Sequence, residues 1–258
     1  MKVVIIGSGN VASALGDKIL AAGHRIVQVA GRNVVTVMRL ADNWQCGGTT
    51  DWNAVDGDAD IYVVALADSA LPGLGGVLSL PGKPVVHTAG ALPVNTLAAV
   101  SAHAGVLYPL QSFRSGVQAS TEFPLLIDAM LPVDLSLIRD FAATIARQVV
   151  HADDDYRLKL HVAAVLVNNF TNHLYTLAED YCQDERLDFT LLLPLIRETA
   201  RRIEVFPPQE VQTGPATRGD AVTLNRHLGV LSKYEDIRTV YELFTILIEA
   251  YYRRDQNT

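Results

Sequence analysis

The rhythm of apolar positions changes once along this chain of 258 residues. In the first part, short runs of β-branched and aliphatic residues alternate with segments of helical spacing. The runs lie at 2–6 (KVVII), 25–33 (RIVQVAGRN), 58–68 (DADIYVVALAD), 83–90 (KPVVHTAG), 105–113 (GVLYPLQSF), 122–129 (EFPLLIDA) and 148–152 (QVVHA). Continuous apolar runs of this kind suit strands buried on both faces. Helical spacing begins near Asn10, with Val11, Leu15, Ile19 and Leu20, and recurs at 34–43, 71–78 and 133–147. Strands alternating with helices predict an α/β fold with a doubly wound parallel sheet. From residue 153 the strand rhythm stops. Residues 153–182 are periodic at helical spacing throughout, and further helices are predicted at 188–205, 220–231 and 235–254. The expected organisation is an α/β domain at 1–152 followed by an all-α domain at 153–258, with no low-complexity linker between them.

Composition narrows this picture. Apolar residues make up 49% and charged residues 19%, enough for a sizeable core. The net charge of −7 argues against a nucleic-acid partner, which would need a basic surface. No apolar stretch is long enough to span a bilayer. The first strand starts at residue 2, which leaves no room for a signal peptide. Cys46 and Cys182 lie far apart without a partner motif. They read as reduced thiols of a cytoplasmic protein, and no metal site is expected.

The first strand runs into VVIIGSGNVASALG, in which Gly7, Gly9 and Ala12 form G-x-G-x-x-A. Gly7 permits a tight turn, Gly9 lets a pyrophosphate approach the backbone, and Ala12 keeps helix and strand close. The helix that follows points free N–H groups and a positive dipole end at the anion. Alone the motif is weak, but a strand before it and an amphipathic helix after it supply the context that dinucleotide binding requires. An NAD site wants an acid at the end of the second strand, where this chain has Gly31 followed by Arg32. With no carboxylate to repel a 2′-phosphate and a guanidinium to pair with it, the pocket suits NADP. Arg32 could also be an ordinary solvated loop residue. The expected cofactor contacts are Gly7, Ser8, Gly9, Asn10, Val11, Arg32 and Asn33, with Leu66, Ala67 and Thr88 on the loops after later strands.

Ligands of such sheets bind beyond the carboxyl ends of the strands. That directs attention to ALADSAL, to HTAGALP with Thr88, and to YPLQSF with Gln111 and Ser112. His87 is either part of this chemistry or a buried strand-end residue satisfied by backbone. In the long helix His161, Asn168 and Asn172 fall within about 20° of one line at α-helical pitch. A histidine and two amides in an apolar setting could bind and protonate a carbonyl oxygen or imine nitrogen, or could serve as a packed structural stripe. Lys159, about 160° from His161, is expected to be solvated. QTGPATRGD at 212–220 is a shaped loop, with Asp220 placed as a helix N-cap and Arg218 either a carboxylate ligand or a structural partner of that acid.

Taken together, GSGNVA, HTAG, YPLQSF, NNFTNHL and TGPATRGD resemble a family of Rossmann-like proteins with a C-terminal helical domain of unknown function. The resemblance spans essentially the whole chain, and the last motif is its most specific part. That family is similar in architecture to pyrroline-5-carboxylate reductase, ketopantoate reductase and the β-hydroxyacid dehydrogenases. The resemblance implies a Rossmann domain followed by a helical domain like the C-terminal domain of 6-phosphogluconate dehydrogenase, an NADP-dependent oxidoreductase activity, and a homodimer formed through the helical domain. The β-hydroxyacid dehydrogenases carry a Lys and an Asn one turn apart on the long helix, whereas here Ala163 stands four residues after Lys159. The expected activity is therefore hydride transfer between NADPH and a small carbonyl or imine substrate. His161 would serve as proton donor, Asn168 and Asn172 would orient the substrate, and Arg218 would hold an acidic group. The alternative is an NADP-binding sensor without turnover.

Overall fold

The computed structural model describes residues 1–114 and 122–254. Its first half contains β1 (Lys2–Ile6), α1 (Asn10–Ala21), β2 (Arg25–Ala30), α2 (Val34–Trp44), β3 (Gly47–Thr49), β4 (Ile61–Val64), β5 (Val85–His87), β6 (Ala104–Pro109), β7 (Leu125–Ala129), α3 (Pro132–Ile145) and β8 (Val149–His151). The strands form an eight-stranded sheet in the order β3-β2-β1-β4-β5-β6-β7-β8. Val3 to Ile6 are fully buried at its centre. At about 1.5–3 kcal/mol per fully buried aliphatic side chain, this strand is a principal anchor of the fold.

Alternate β1 residues face opposite layers. Val3 and Ile5 join Leu15 and Ile19 of α1, Val37 and Leu40 of α2, and Phe141 of α3. Val4 and Ile6 join Tyr62, Leu71, Leu74 and Leu97 on the other face. That second face departs from expectation, because the helix predicted at 71–78 does not form. Short 3-10 turns at Asp68–Ala70 and Leu74–Gly76 stand there instead. Pro72 and the glycines at 73, 75 and 76 oppose a regular helix. Gly75 also allows a close approach, since a Cβ there would lie 2.5 Å from that of Ala99.

Two further corrections concern the sheet. The three-residue β3, Gly-Gly-Thr, carries no apolar pattern and escapes a sequence reading. The sheet is also not wholly parallel, because β7 runs antiparallel to β6 and parallel to β8. Parallel neighbours need a crossover, usually a helix. The described residues between β6 and β7 form none, whereas α3 supplies one between β7 and β8.

The long helical stretch is α4 (Asp154–Ala164), a π-helical segment at Val165–Phe170 and α5 (Thr171–Asp184). It is followed by α6 (Leu193–Arg202), α7 (Pro215–Arg218), α8 (Ala221–Val230) and α9 (Glu235–Arg254). The chain divides into two compact units, Met1–Phe170 and Thr171–Thr258. The change from strand to helix falls between His151 and Asp154, while α4 and the π-helical segment belong to the first unit. In the second unit, α5, α8, α9 and the start of α7 border an open apolar pocket of about 600 Å³, lined in part by Leu174, Tyr181, Pro215, Leu224 and Tyr241.

Candidate functional site

The site begins where β1 ends. Gly7 has φ +126°, and a Cβ there would sit 2.1 Å from the Ala65 carbonyl oxygen, so no other residue fits this turn. Gly9 caps α1 in an extended conformation without a side-chain hydrogen bond, and the first turn of α1 carries no acid. A Cβ on Gly9 would meet nothing within 4 Å. The first N–H groups of α1, including those of Asn10 and Val11, therefore face an uncapped, open approach suited to phosphate. Asn10 Nδ2 donates to the Phe113 carbonyl at 3.1 Å, tying the YPLQSF segment to this helix start. Ser8 Oγ lies 2.6 Å from Thr36 Oγ1, joining the glycine turn to α2.

At the end of β2, Gly31 is buried, and a Cβ there would approach Ser8 Oγ to 3.4 Å. Arg32 is exposed, and no ion pair engages it among the described residues. Asn33 is exposed too, but its Oδ1 already accepts from the Thr36 N–H at 3.1 Å and caps α2. The first turn of α2 has no acid. After β4, Leu66 packs on the core while Ala67 is exposed at the start of a 3-10 turn. This set fits a dinucleotide: an uncapped helix start, a turn only glycine allows, and an exposed guanidinium after β2.

Further along the same strand ends, the structure resolves the ambiguity over His87. It is fully buried, its Nδ1 accepts from the Ala89 N–H at 3.3 Å, and its Nε2 donates to the Pro93 carbonyl at 3.1 Å. Burial lowers its pKa to about 4. This neutral ring braces the loop after β5 and is not available for proton transfer. Thr88, 9% exposed, turns back to the Val64 carbonyl through its N–H at 3.2 Å.

His161 comes to the end of β5 from α4. A Cβ on Gly90 would lie 2.7 Å from Tyr108 Cζ and 2.8 Å from His161 Nδ1, so both rings close over a bare glycine. Tyr108, on β6, has its hydroxyl 2.9 Å from His161 Nδ1, and the rings meet edge to face. Burial, and then the charge of Asp68, raise the Tyr108 pKa. One turn before His161, Arg157 is 1% exposed and pins α4 to the same loop. Its Nη2 donates to the Leu92 carbonyl and to Asp154 Oδ1, both at 2.6 Å. Asp154 Oδ1 also accepts from the Val94 N–H at 2.8 Å. Lys159 is exposed and paired with Asp155 at 2.6 Å, as its phase on the helix predicts.

The remaining candidates are less clustered. Asn168 lies exposed in the π-helical segment. Each π turn takes up more residues than an α turn, so the straight line expected through His161, Asn168 and Asn172 does not carry across it. Asn172 and Arg218 belong to the second unit, and both are exposed. Asp220 caps α8, accepting from the Thr223 N–H at 3.1 Å, as expected. Gln111 and Ser112 are exposed and hydrogen-bonded to each other at 2.8 Å. Among the described residues no cluster could hold a metal.

Sequence reasoning missed Tyr108 and Arg157. Tyr108 lies inside YPLQSF, where Gln111 and Ser112 are the more polar candidates. Arg157 shares a helix face with His161 at a spacing of four and with Asp154 at three, a pattern that was available to reading.

Comparison with known proteins agrees with this geometry. Residues 2–90 match the family described as NADP oxidoreductase coenzyme F420-dependent, and residues 123–248 match a domain of unknown function, DUF2520. No protein of curated function matches the chain significantly. Among solved structures, BF3122 from Bacteroides fragilis, provisionally named an NADP oxidoreductase, is 37% identical over 96% of this chain and 98% of its own, with TM-score 0.89. An imine reductase from Myxococcus stipitatus in complex with NADP+ shares the fold at 14% identity, covering 100% of this chain and 94% of its own, with TM-score 0.64. A 1-pyrroline-5-carboxylate reductase from Streptococcus pyogenes shares it at 13% identity over 97% and 98%, with TM-score 0.61. At 37% identity over nearly the full length of both chains, this protein belongs to the same family as the Bacteroides fragilis protein, and joins the coenzyme F420-dependent type of NADP oxidoreductase domain to a DUF2520 domain.

Proposed function

We propose that this protein is an NADP-dependent oxidoreductase that reduces a small carbonyl or imine compound. The observation that carries this reading is the ring of His161, held against Gly90 and Tyr108 at the same strand-end edge of the sheet as the uncapped start of α1. Gly7, Ser8, Gly9, Asn10 and Val11 would hold the pyrophosphate, and Arg32 with Asn33 the phosphorylated ribose. Leu66, Ala67 and Thr88 would line the path toward the nicotinamide, which supplies a hydride when bound. His161 would protonate the reduced oxygen or nitrogen. Asn168 and Asn172 are assigned to orienting the substrate, and Arg218 to binding a carboxylate on it. The Myxococcus stipitatus and Streptococcus pyogenes relatives support an imine as the substrate class.

The test is NADPH oxidation across a panel of keto acids and cyclic imines. Turnover on any member that falls on His161→Ala supports the assignment. Tight NADPH binding with no turnover on any member makes the protein a sensor instead.

The assembly reading is a homodimer through the helical unit. Leu191, Leu195, Leu243, Ile246 and Leu247 are each more than half exposed, too much apolar surface for a small isolated unit. A monomeric mass in light scattering at micromolar concentration overturns it. A cytoplasmic location is supported by the two free cysteines, Cys46 and Cys182. No described helix is long and apolar enough to cross a membrane.

A further inference from the structure

We propose that Tyr108 is the positioning residue of this site: its hydroxyl holds the His161 ring through Nδ1 and makes Nε2 the nitrogen that hands over the proton. The inference rests on the reductase reading above and adds to it a tautomer and a route for the proton.

A neutral imidazole carries one proton on one of its two nitrogens, and its partner decides which. Tyr108 Oη lies 2.9 Å from Nδ1 of His161. Tyr108 is 9% exposed, and burial raises its pKa, so the phenol keeps its proton. Among the described residues that proton is given no acceptor other than His161. We assign the O–H as the donor to Nδ1, which leaves Nδ1 bare and places the ring proton on Nε2. The geometry around the pair is closed rather than adaptable. Gly90 leaves no space for even a methyl group beneath either ring, and Arg157 anchors α4 one turn earlier to the Leu92 carbonyl. The Tyr108 hydroxyl and the Gly90 backbone thus bear on the His161 ring while Arg157 fixes the helix that carries it.

The arrangement also closes the proton balance. As Nε2 gives its proton to the substrate heteroatom, Nδ1 takes the phenol proton and the phenol oxygen takes one from water, whose hydroxide passes to the bulk solvent and is neutralised there. No imidazolate and no phenolate is left behind. One proton passes from water to product, the imidazole ends as the other tautomer, and exchange with solvent restores the first. A phenylalanine ring at 108 would fill the same space and do none of this.

The decisive experiment reads the tautomer directly, without needing a substrate. ¹⁵N-labelled protein is examined by NMR at about pH 8, where an ordinary imidazole is neutral, with the His161 signals assigned by their loss in His161→Gln. The proposal expects the Nε2–H form to dominate in the wild type and a mixture of forms in Tyr108→Phe. Gly90→Ala, which pushes the rings apart from below, should give the same mixture by an independent route. A dominant Nδ1–H form in the wild type, or an unchanged tautomer ratio in both variants, overturns the proposal. In turnover, Tyr108→Phe should lower kcat about tenfold or more with KM nearly unchanged, and an unchanged kcat overturns the relay. An enzyme that keeps full turnover as His161→Ala would overturn the reductase assignment of His161 while leaving the NMR result standing, so the two failures are distinguishable.

Discussion

Two regions at one edge of the sheet are built on opposite plans. The cradle at β1, α1 and β2 is made from backbone and glycine within residues 7–33, and its side chains mostly hold the loop together, as Ser8 does with Thr36 and Asn33 with α2. The proposed proton site is made from residues that lie far apart in the chain: the rings of Tyr108 and His161 over the bare backbone of Gly90. The first is a local solution to anion binding, since one helix start supplies the donors. The second exists only because β5, β6 and α4 bring three distant residues within contact. The difference implies that binding and chemistry can be damaged separately.

The largest separation is expected at His161. Replacement by alanine should lower turnover by about 10²–10⁴-fold with cofactor affinity little changed, read by steady-state kinetics and calorimetry. A parallel loss of affinity would mean that the two regions are not independent.

Gly7→Ala should do the reverse. The added Cβ meets the Ala65 carbonyl in a positive-φ turn, costing about 2–4 kcal/mol of stability and abolishing tight cofactor binding. Denaturant unfolding with calorimetry checks both.

His87 tests whether the loop of the second region is rigid for the reason given. Its pKa is about 4 in the fold against an ordinary 6.5, so the unfolded chain binds the proton more readily. Stability is then full above pH 6.5 and declines as pH falls from 6.5 to about 4, by about 3 kcal/mol in total at 1.36 kcal/mol per pKa unit. His87→Gln should flatten that part of the stability profile. An unaltered slope would place the acid sensitivity elsewhere.

The smallest effect belongs to the rim of the cradle. Arg32→Asp should weaken NADPH about tenfold and bring NADPH and NADH close together, because an exposed guanidinium adds a modest charge-assisted contact. Equal affinity of the wild type for both cofactors, measured by calorimetry, would refute the role of Arg32.

What was legible follows the same division. The glycine turn and the helix start after it could be read because their geometry is encoded within one strand–turn–helix, where spacing and glycine placement are the structure. His161 was visible as a polar residue on an apolar helix, yet its partner was not, since nothing in YPLQSF says that the tyrosine rather than the glutamine would face it. The alignment of His161 with Asn168 and Asn172 assumed uniform helical pitch, and the π-helical segment at Val165–Phe170 removes that assumption.

The sequence by itself determined the alternating α/β half, the glycine turn and its helix, the missing acid after β2, and the helical second half. Each is a matter of short-range periodicity or of what a single backbone position tolerates. Tertiary structure alone decided the direction of β7, the neutrality of His87, and the contact of Tyr108 with His161. Those depend on which distant residues exclude water from one another, and burial of that kind is a property of the packed chain that no local spacing records.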